Sequence, residues 1–157
     1  MSSGVLCVAD IDPASVRRLL EDFGIQLFVV GQAESIPGSY WGEPEAGLIG
    51  DRVFVRNDTP VHSLLHEACH LIVAPPSRRV RLHTDASDCQ QEEDATCYLQ
   101  LELARALPRF GFERACRDMD AWGYSFRLGS ARAWFEQDAE DARRFLVERG
   151  LLPARSG

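Results

Sequence analysis

The stretch Thr59-Pro60-Val61-His62-Ser63-Leu64-Leu65-His66-Glu67-Ala68-Cys69-His70-Leu71-Ile72-Val73-Ala74-Pro75-Pro76 reads as one helix with punctuated ends. Thr59-Pro60 offers an N-cap and a first-turn proline, and the proline pair stops the run. At about 100° per residue, Val61, Leu64, Leu65, Ala68, Leu71 and Ile72 gather on one side, and His62, His66, Cys69, His70 and Val73 on the other. The pattern predicts one face for the core and an opposite face carrying three of the four histidines in the protein.

That second face has the spacing of a metal site. His66 and His70 stand at i and i+4, about 5 to 6 Å apart on a helix, so two imidazole nitrogens can close on one Zn²⁺ at about 2.0 to 2.1 Å. Glu67 falls about 100° round the helix. It is badly placed to be a third ligand but can reach a water at the metal's open position and act as general base. Cys69 lies on the same face; as the direct neighbour of His70 it has awkward geometry for a thiolate ligand.

A third ligand is sought downstream. Gln91-Glu92-Glu93-Asp94-Ala95 opens a second helix running to about Leu107. Ala95, Thr96, Leu99, Leu103 and Ala106 fall within about 60° of Glu92, which puts that carboxylate on an inward stripe. A buried carboxylate is costly unless it pairs or binds a metal. Glu92 is therefore the expected ligand. Glu93, which shares a side with Cys97, Gln100 and Ala104, is its rival, and an ordinary first-turn charge favourable to the helix dipole is the third reading.

The string His66-Glu67-Ala68-Cys69-His70 followed by Glu92-Glu93-Asp94-Ala95 resembles the HExxH and downstream ExxA pattern of the ImmA/IrrE-type metallopeptidases, a compact branch of the gluzincins. The resemblance covers roughly Asp12 to Leu107. It implies a helix, a small sheet, the zinc helix and then the glutamate helix. It also implies zinc held by His66, His70 and Glu92, with Glu67 as general base, and regulated proteolysis of repressor-like partners. Thr96-Cys97-Tyr98 stands where such families usually read Asn and an aromatic, and the residues given carry no pattern from which a DNA-binding helix pair is expected.

The segment before the zinc helix supports the same architecture. Asp12-Pro13 caps a helix with Val16, Leu19, Leu20 and Phe23 at helical spacing, ended by Gly24. Ile25 to Val30 is a short apolar run, expected as an interior strand. Gly47 to Ile49 and Arg52 to Arg56 flank Gly50-Asp51, a hairpin signal, and Val53 and Val55 alternate with Arg52, Phe54 and Arg56. A strand beside a zinc helix can offer its edge to an extended peptide. Tyr40 and Trp41, in the loop from Gly31 to Glu45, either line a groove or cover the sheet. The stretch Pro75 to Asp88, with Arg78, Arg79, Arg81, His83, Asp85 and Asp88, forms a lid or a solvated loop. His83, Tyr98 and Tyr124 are candidates to stabilise an oxyanion, and His62 to hold the water or a ligand. Beyond Leu107, Phe112 to Trp122 reads as a short helix, and Ser130 to Arg149 as one helix or two broken near Asp138. The default for these is a buttress behind the zinc helices.

Composition bounds the rest. With 157 residues and 45% hydrophobic content, a single domain with a sizeable core is expected over 1–157, its core at about 12–107 and a helical extension at about 108–150. A net charge of -7 with no basic block argues against nucleic acid as a partner. No stretch is long and apolar enough to span a bilayer, and Met1 to Asp10 lacks a signal-peptide pattern. Five cysteines without CxxC spacing fit a reducing compartment, so the expectation is a cytoplasmic protein. The overall expectation is an α+β, zincin-like domain holding one Zn²⁺ and hydrolysing peptide bonds of a protein or peptide substrate. A non-catalytic zinc-bearing interaction module and a small-amide hydrolase are the alternatives. Oligomeric state is not legible.

Overall fold

A computed structural model describes residues 4–37, 45–74 and 90–153. Within them the chain forms α1 (Pro13–Glu21), β1 (Gln26–Val29), β2 (Gly47–Ile49), β3 (Arg52–Val55), α2 (Val61–Val73), α3 (Gln90–Ala104), α4 (Gly111–Trp122), α5 (Ala131–Gln137) and α6 (Glu140–Glu148). The architecture is mixed α+β and mostly helical.

Local chemistry accounts for most of these boundaries. The Asp12 carboxylate accepts from the Ala14 N–H at 3.0 Å, Pro13 occupies the first turn, and Val16 and Leu20 point inward. Gly50, at φ 59°, makes the left-handed turn that joins β2 to β3. β2 pairs antiparallel with β3, Leu48 opposite Val53, and β1 pairs parallel with β3, Leu27 opposite the same valine. The sheet order is therefore β1-β3-β2.

This order corrects one expectation: the apolar run from Ile25 to Val30 is an edge strand, not an interior one. Only Leu27 of β1 is buried, while Phe28 and Val29 are 41% and 38% exposed. Phe28 stacks instead on Phe54 of β3, with ring centroids 5.3 Å apart, on the outer face of the sheet. An unbroken apolar run reads the same whether both faces meet a core or one face carries an aromatic ladder.

α2 starts at Val61, with Pro60 at the N-cap position, one residue later than expected. Thr59 does not cap it; its hydroxyl accepts from the Arg56 N–H at 2.9 Å. The first free N–H of the helix, on Val61, is taken by the Leu6 carbonyl at 2.9 Å. The expected division into a core face and a second, opposite face fails more broadly. Every residue of α2 except His66 is buried, because the helix lies against β2 and β3 as well as α3 and α4.

The C-terminal helices are a buttress, as expected. α6 packs along α3, Trp134, Phe145 and Leu146 are buried, and the break falls at Asp138. Tyr98 of α3 stacks on Phe135 of α5 at 4.3 Å. Cys7, Cys69, Cys97 and Cys116 are free thiols. Among the described residues no helix is long and apolar enough to cross a membrane.

Two truncations separate core from edge. Leu64→Ala, at a fully buried position of α2, is expected to lower unfolding free energy by about 2 to 5 kcal/mol. Phe28→Ala on the open strand is expected to cost no more than about 1 kcal/mol. Urea midpoints at constant slope measure both, and equal losses would contradict the edge position of β1.

Candidate metal centre

One turn of α2 separates His66 from His70, and their rings meet nearly at right angles with centroids 4.6 Å apart. Their Nε2 atoms lie 3.1 Å from each other. The Glu93 carboxylate of α3 closes the triangle, one oxygen 2.9 Å from His66 Nε2 and the other 3.4 Å from His70 Nε2. Three donors sharing a tetrahedral ion at 2.0 to 2.1 Å would stand about 3.3 Å apart. The observed contacts, one from each Glu93 oxygen, lie close to that spacing, so the three side chains could hold a metal ion. Among the described residues this is the group of histidine, cysteine and carboxylate side chains able to hold one.

His66 is oriented from behind. The Gln100 amide, fully buried, donates from Nε2 to the His62 carbonyl at 2.8 Å, so its Oε1 is the atom 2.9 Å from His66 Nδ1. A carbonyl oxygen only accepts; Nδ1 therefore carries a proton and donates to Gln100, and Nε2 is the nitrogen that faces Glu93 and His70. Burial disfavours a charge on this ring. The Tyr124 phenol, the Cys97 thiol and the Glu93 carboxylate act the other way, and the balance holds His66 well above the ordinary imidazole value. Burial also pushes Tyr124 and Cys97 up. Both are thus uncharged near neutral pH, and Glu93 supplies the negative charge.

Glu92, the expected third ligand, is not the carboxylate at the two imidazoles; Glu93 is. The expected inward stripe holds in its first part, since Glu92 is buried along with Ala95, Thr96 and Leu99, but Leu103 is half-buried and Ala106 is exposed beyond the helix end at Ala104. The difference arises because α3 packs against α2, α4 and α6 and so has more than one buried side. The stripe of Glu93, Cys97, Gln100 and Ala104 is the one that meets α2, as the two Gln100 hydrogen bonds show. Cys69 is buried, with its thiol pushed up by desolvation, and is not among the donors.

Glu67 opens onto a cleft of about 380 Å³ lined by Glu45, Ser63, His66, Glu67, Glu93, Trp122, Gly123 and Tyr124. Trp122 and Tyr124 reach it because α4 ends in a Schellman turn. Gly123, at φ 103°, lets the Tyr124 N–H return to the Met119 carbonyl at 3.1 Å. Of the three oxyanion candidates, Tyr124 lines the cleft, Tyr98 is stacked on Phe135, and His83 lies outside the described residues. So do Tyr40, Trp41 and the stretch from Pro75 to Asp88.

His62 sits behind Tyr124, its Nδ1 3.3 Å from the phenol oxygen, and its buried Nε2 has no hydrogen-bond partner among the described residues. A buried N–H without an acceptor is costlier than an unused lone pair. Nδ1 therefore carries the proton and donates to Tyr124, which leaves the phenol hydrogen free to point elsewhere. Burial, and secondarily His66, pushes the pKa of His62 down to about 3.

Comparison of the chain with family models, with curated proteins and with solved structures finds no match. Glu45, Ser63, Gln100 and Trp122 are site residues that sequence reasoning missed. Gln100 carried a signal, since a glutamine one turn along the Glu93 and Cys97 stripe is an unusual core residue unless it has partners.

In chelator competition, Glu93→Gln is expected to weaken metal retention far more than Glu92→Gln. Gln100→Leu is expected to weaken it by about 10- to 100-fold by releasing the His66 ring. The reverse order of the two glutamates would return the assignment to Glu92.

His62 also makes a pH prediction for the metal-free protein. Unfolded His62 takes up a proton near 6.5, whereas the folded residue does not until far lower, so stability falls as pH drops below that value. The raised His66 contributes stability that is already complete there. Between about pH 6.5 and 5, above the main carboxylate range, the urea midpoint should decline, and His62→Asn should reduce the slope.

Proposed function

We propose that the protein is a zinc-dependent peptidase of zincin-like architecture. The observation that carries this reading is the meeting of His66, His70 and Glu93 in one ligand triangle beside Glu67, all but His70 opening on one cleft. Two nitrogens and one carboxylate are the donor set of catalytic zinc sites that keep a fourth position open. Bound there, Zn²⁺ would supply Lewis-acid polarisation of a carbonyl and bring the pKa of water to about 7.

The chain's own residues divide the remaining work. Glu67, held on the buried helix next to its ligand neighbour His66, takes a proton from water and returns it to the leaving nitrogen. Tyr124, whose oxygen is supported by His62, donates its hydroxyl hydrogen to the carbonyl oxygen as negative charge develops. Gln100 holds the His66 ring in one tautomer throughout.

The resemblance to ImmA/IrrE-type metallopeptidases supports the same reading. The element order of a helix, a small sheet, the HExxH helix and a glutamate-bearing helix is the order that the resemblance implies. Regulated cleavage of a partner protein is the corresponding biological role. The alternative of a closed, non-catalytic zinc module is disfavoured by a cleft that reaches the ligands together with a carboxylate outside the ligand set.

Protein prepared without chelator should carry about one zinc per chain by elemental analysis. Glu67→Gln should keep zinc and fold but lower hydrolysis by about 10²- to 10⁴-fold or more. The measurement is the appearance of new termini by mass spectrometry after incubation with peptide libraries. Cleavage that persists undiminished in Glu67→Gln would remove that residue from the mechanism, and protein that neither carries nor accepts zinc would end the reading.

A further inference from the structure

The sheet has two edges, and they differ. The β2 edge follows Glu45, which lines the cleft; β1 forms the edge away from it. Gln26-Leu27-Phe28-Val29-Val30 holds no charged residue and no proline, the usual means by which an exposed strand is kept from pairing with another chain. Phe28 and Val29 are two of the three large apolar residues exposed among the described residues, so open apolar surface concentrates on this strand.

The backbone of β1 is half used. The Gln26 N–H donates to the Asp51 carbonyl at 3.0 Å and the Val30 N–H to the Val55 carbonyl at 2.7 Å. In a parallel ladder every second residue turns its polar groups to the neighbour. Gln26, Phe28 and Val30 therefore face β3, while Leu27 and Val29 turn theirs outward, where they have no hydrogen-bond partner among the described residues. Two copies of this strand complete each other. Set antiparallel about a two-fold axis at Phe28, Leu27 of one copy stands opposite Val29 of the other, and each such pair exchanges two N–H to carbonyl bonds. Phe28 meets its own counterpart between them, in the type of pair whose side chains lie closest. Both rings are on the outer face and each is already stacked on Phe54, so four aromatic rings form one row. The exposed Val29 gains Leu27 of the second copy as its neighbour. One symmetry operation thus uses the outward polar groups and the exposed apolar side chains of β1 together.

Charge also favours a second copy. Each chain carries a net charge of -7, so copies meet most readily where acidic groups do not oppose each other, and the strand is neutral. At its ends unlike charges approach. The exposed Arg52 flanks Gln26 in the β1–β3 register, and the exposed Glu34 accepts from the Gly31 N–H at 2.9 Å, just beyond Val30. Antiparallel pairing lays Gln26 against Val30 of the second copy, which brings Arg52 of each chain toward Glu34 of the other. We propose that the protein self-associates through β1, two copies forming one continuous six-stranded sheet. The inference is independent of the zinc-peptidase reading, since the β2 edges and the clefts beside them lie at the two far sides of the joined sheet. A contact between strands of four residues is small against the roughly 1,200 Å² of stable complexes, so the dimer is weak and concentration-dependent.

Sedimentation velocity of the full chain, from low micromolar to millimolar concentration, tests this. The weight-average mass of the wild type should rise from one chain toward two. Val29→Pro removes an N–H that β3 does not use, so it should keep the fold by circular dichroism while weakening association about tenfold or more. Phe28→Lys and Phe28→Glu should each stay monomeric, because like charges then face each other across the axis. An equimolar mixture of those two variants should recover association, since residue 28 of one copy meets residue 28 of the other. If Val29→Pro fails to fold, the charge-swap pair decides alone. A wild type that stays monomeric over the whole range overturns the proposal, whether the edge is unused or serves a different partner. Association that survives all three substitutions places the contact elsewhere and overturns it equally. A mixture that does not recover overturns the axis at Phe28.

Discussion

The double hydrogen bond of Gln100 to α2 is the constraint on which the site depends. A side-chain amide has one donor end and one acceptor end in fixed geometry. Seating it between the His62 carbonyl and His66 Nδ1 sets both the rotation and the height of α3 against α2. Counting seven residues back from Gln100 is two turns, about 10 Å of rise, and it returns to the same face at Glu93. A shift of α3 by one residue would swing Glu93 about 100° away. Which carboxylate faces the two imidazoles is thus a consequence of how two helices pack, and it is enforced by a buried polar pair that would be costly to leave unmade.

The same dependence explains which parts of the molecule were legible in the sequence. The HExxH pair, the capped first helix and the Gly50-Asp51 hairpin are local: each is decided by residues within one or two turns of each other. The choice between Glu92 and Glu93 is not local. α3 is buried on several sides, so a hydrophobic stripe identifies an inward face without saying which neighbour occupies it. The interior reading of β1 failed for a related reason: Leu27 enters the core, but Phe28 covers Phe54 on the outer face instead. Glu45, Ser63 and Trp122 come from three separate elements, and only the folded chain brings them to one wall.

The layer behind the cleft shows how buried polar groups are managed. His62 is kept neutral by burial and spends its one proton on Tyr124, while Gln100 spends its amide on the histidine above. These hydrogen bonds fix which ring nitrogen of each imidazole faces inward, Nδ1 of His62 toward Tyr124 and Nδ1 of His66 toward Gln100. Gly123 contributes from the other side. Its left-handed backbone terminates α4 and turns the chain so that residues on both sides of it, Trp122 and Tyr124, line the cleft.

The enclosure of α2 has a further consequence. A helix buried on nearly every side is expected to fray little and to exchange its amides with solvent on global opening. Folding thus brings the two imidazoles together, and an ion bound there as proposed would need no ordering of the backbone that carries them. An ion that binds the folded chain and not the unfolded one adds to stability by mass action, about 4 kcal/mol when it is present at a thousand times its dissociation constant. On the proposed metal-bound reading, metal supply would govern the lifetime of the polypeptide against unfolding and proteolytic clearance, and starvation for the ion would reduce the amount of protein as well as the occupancy of its site.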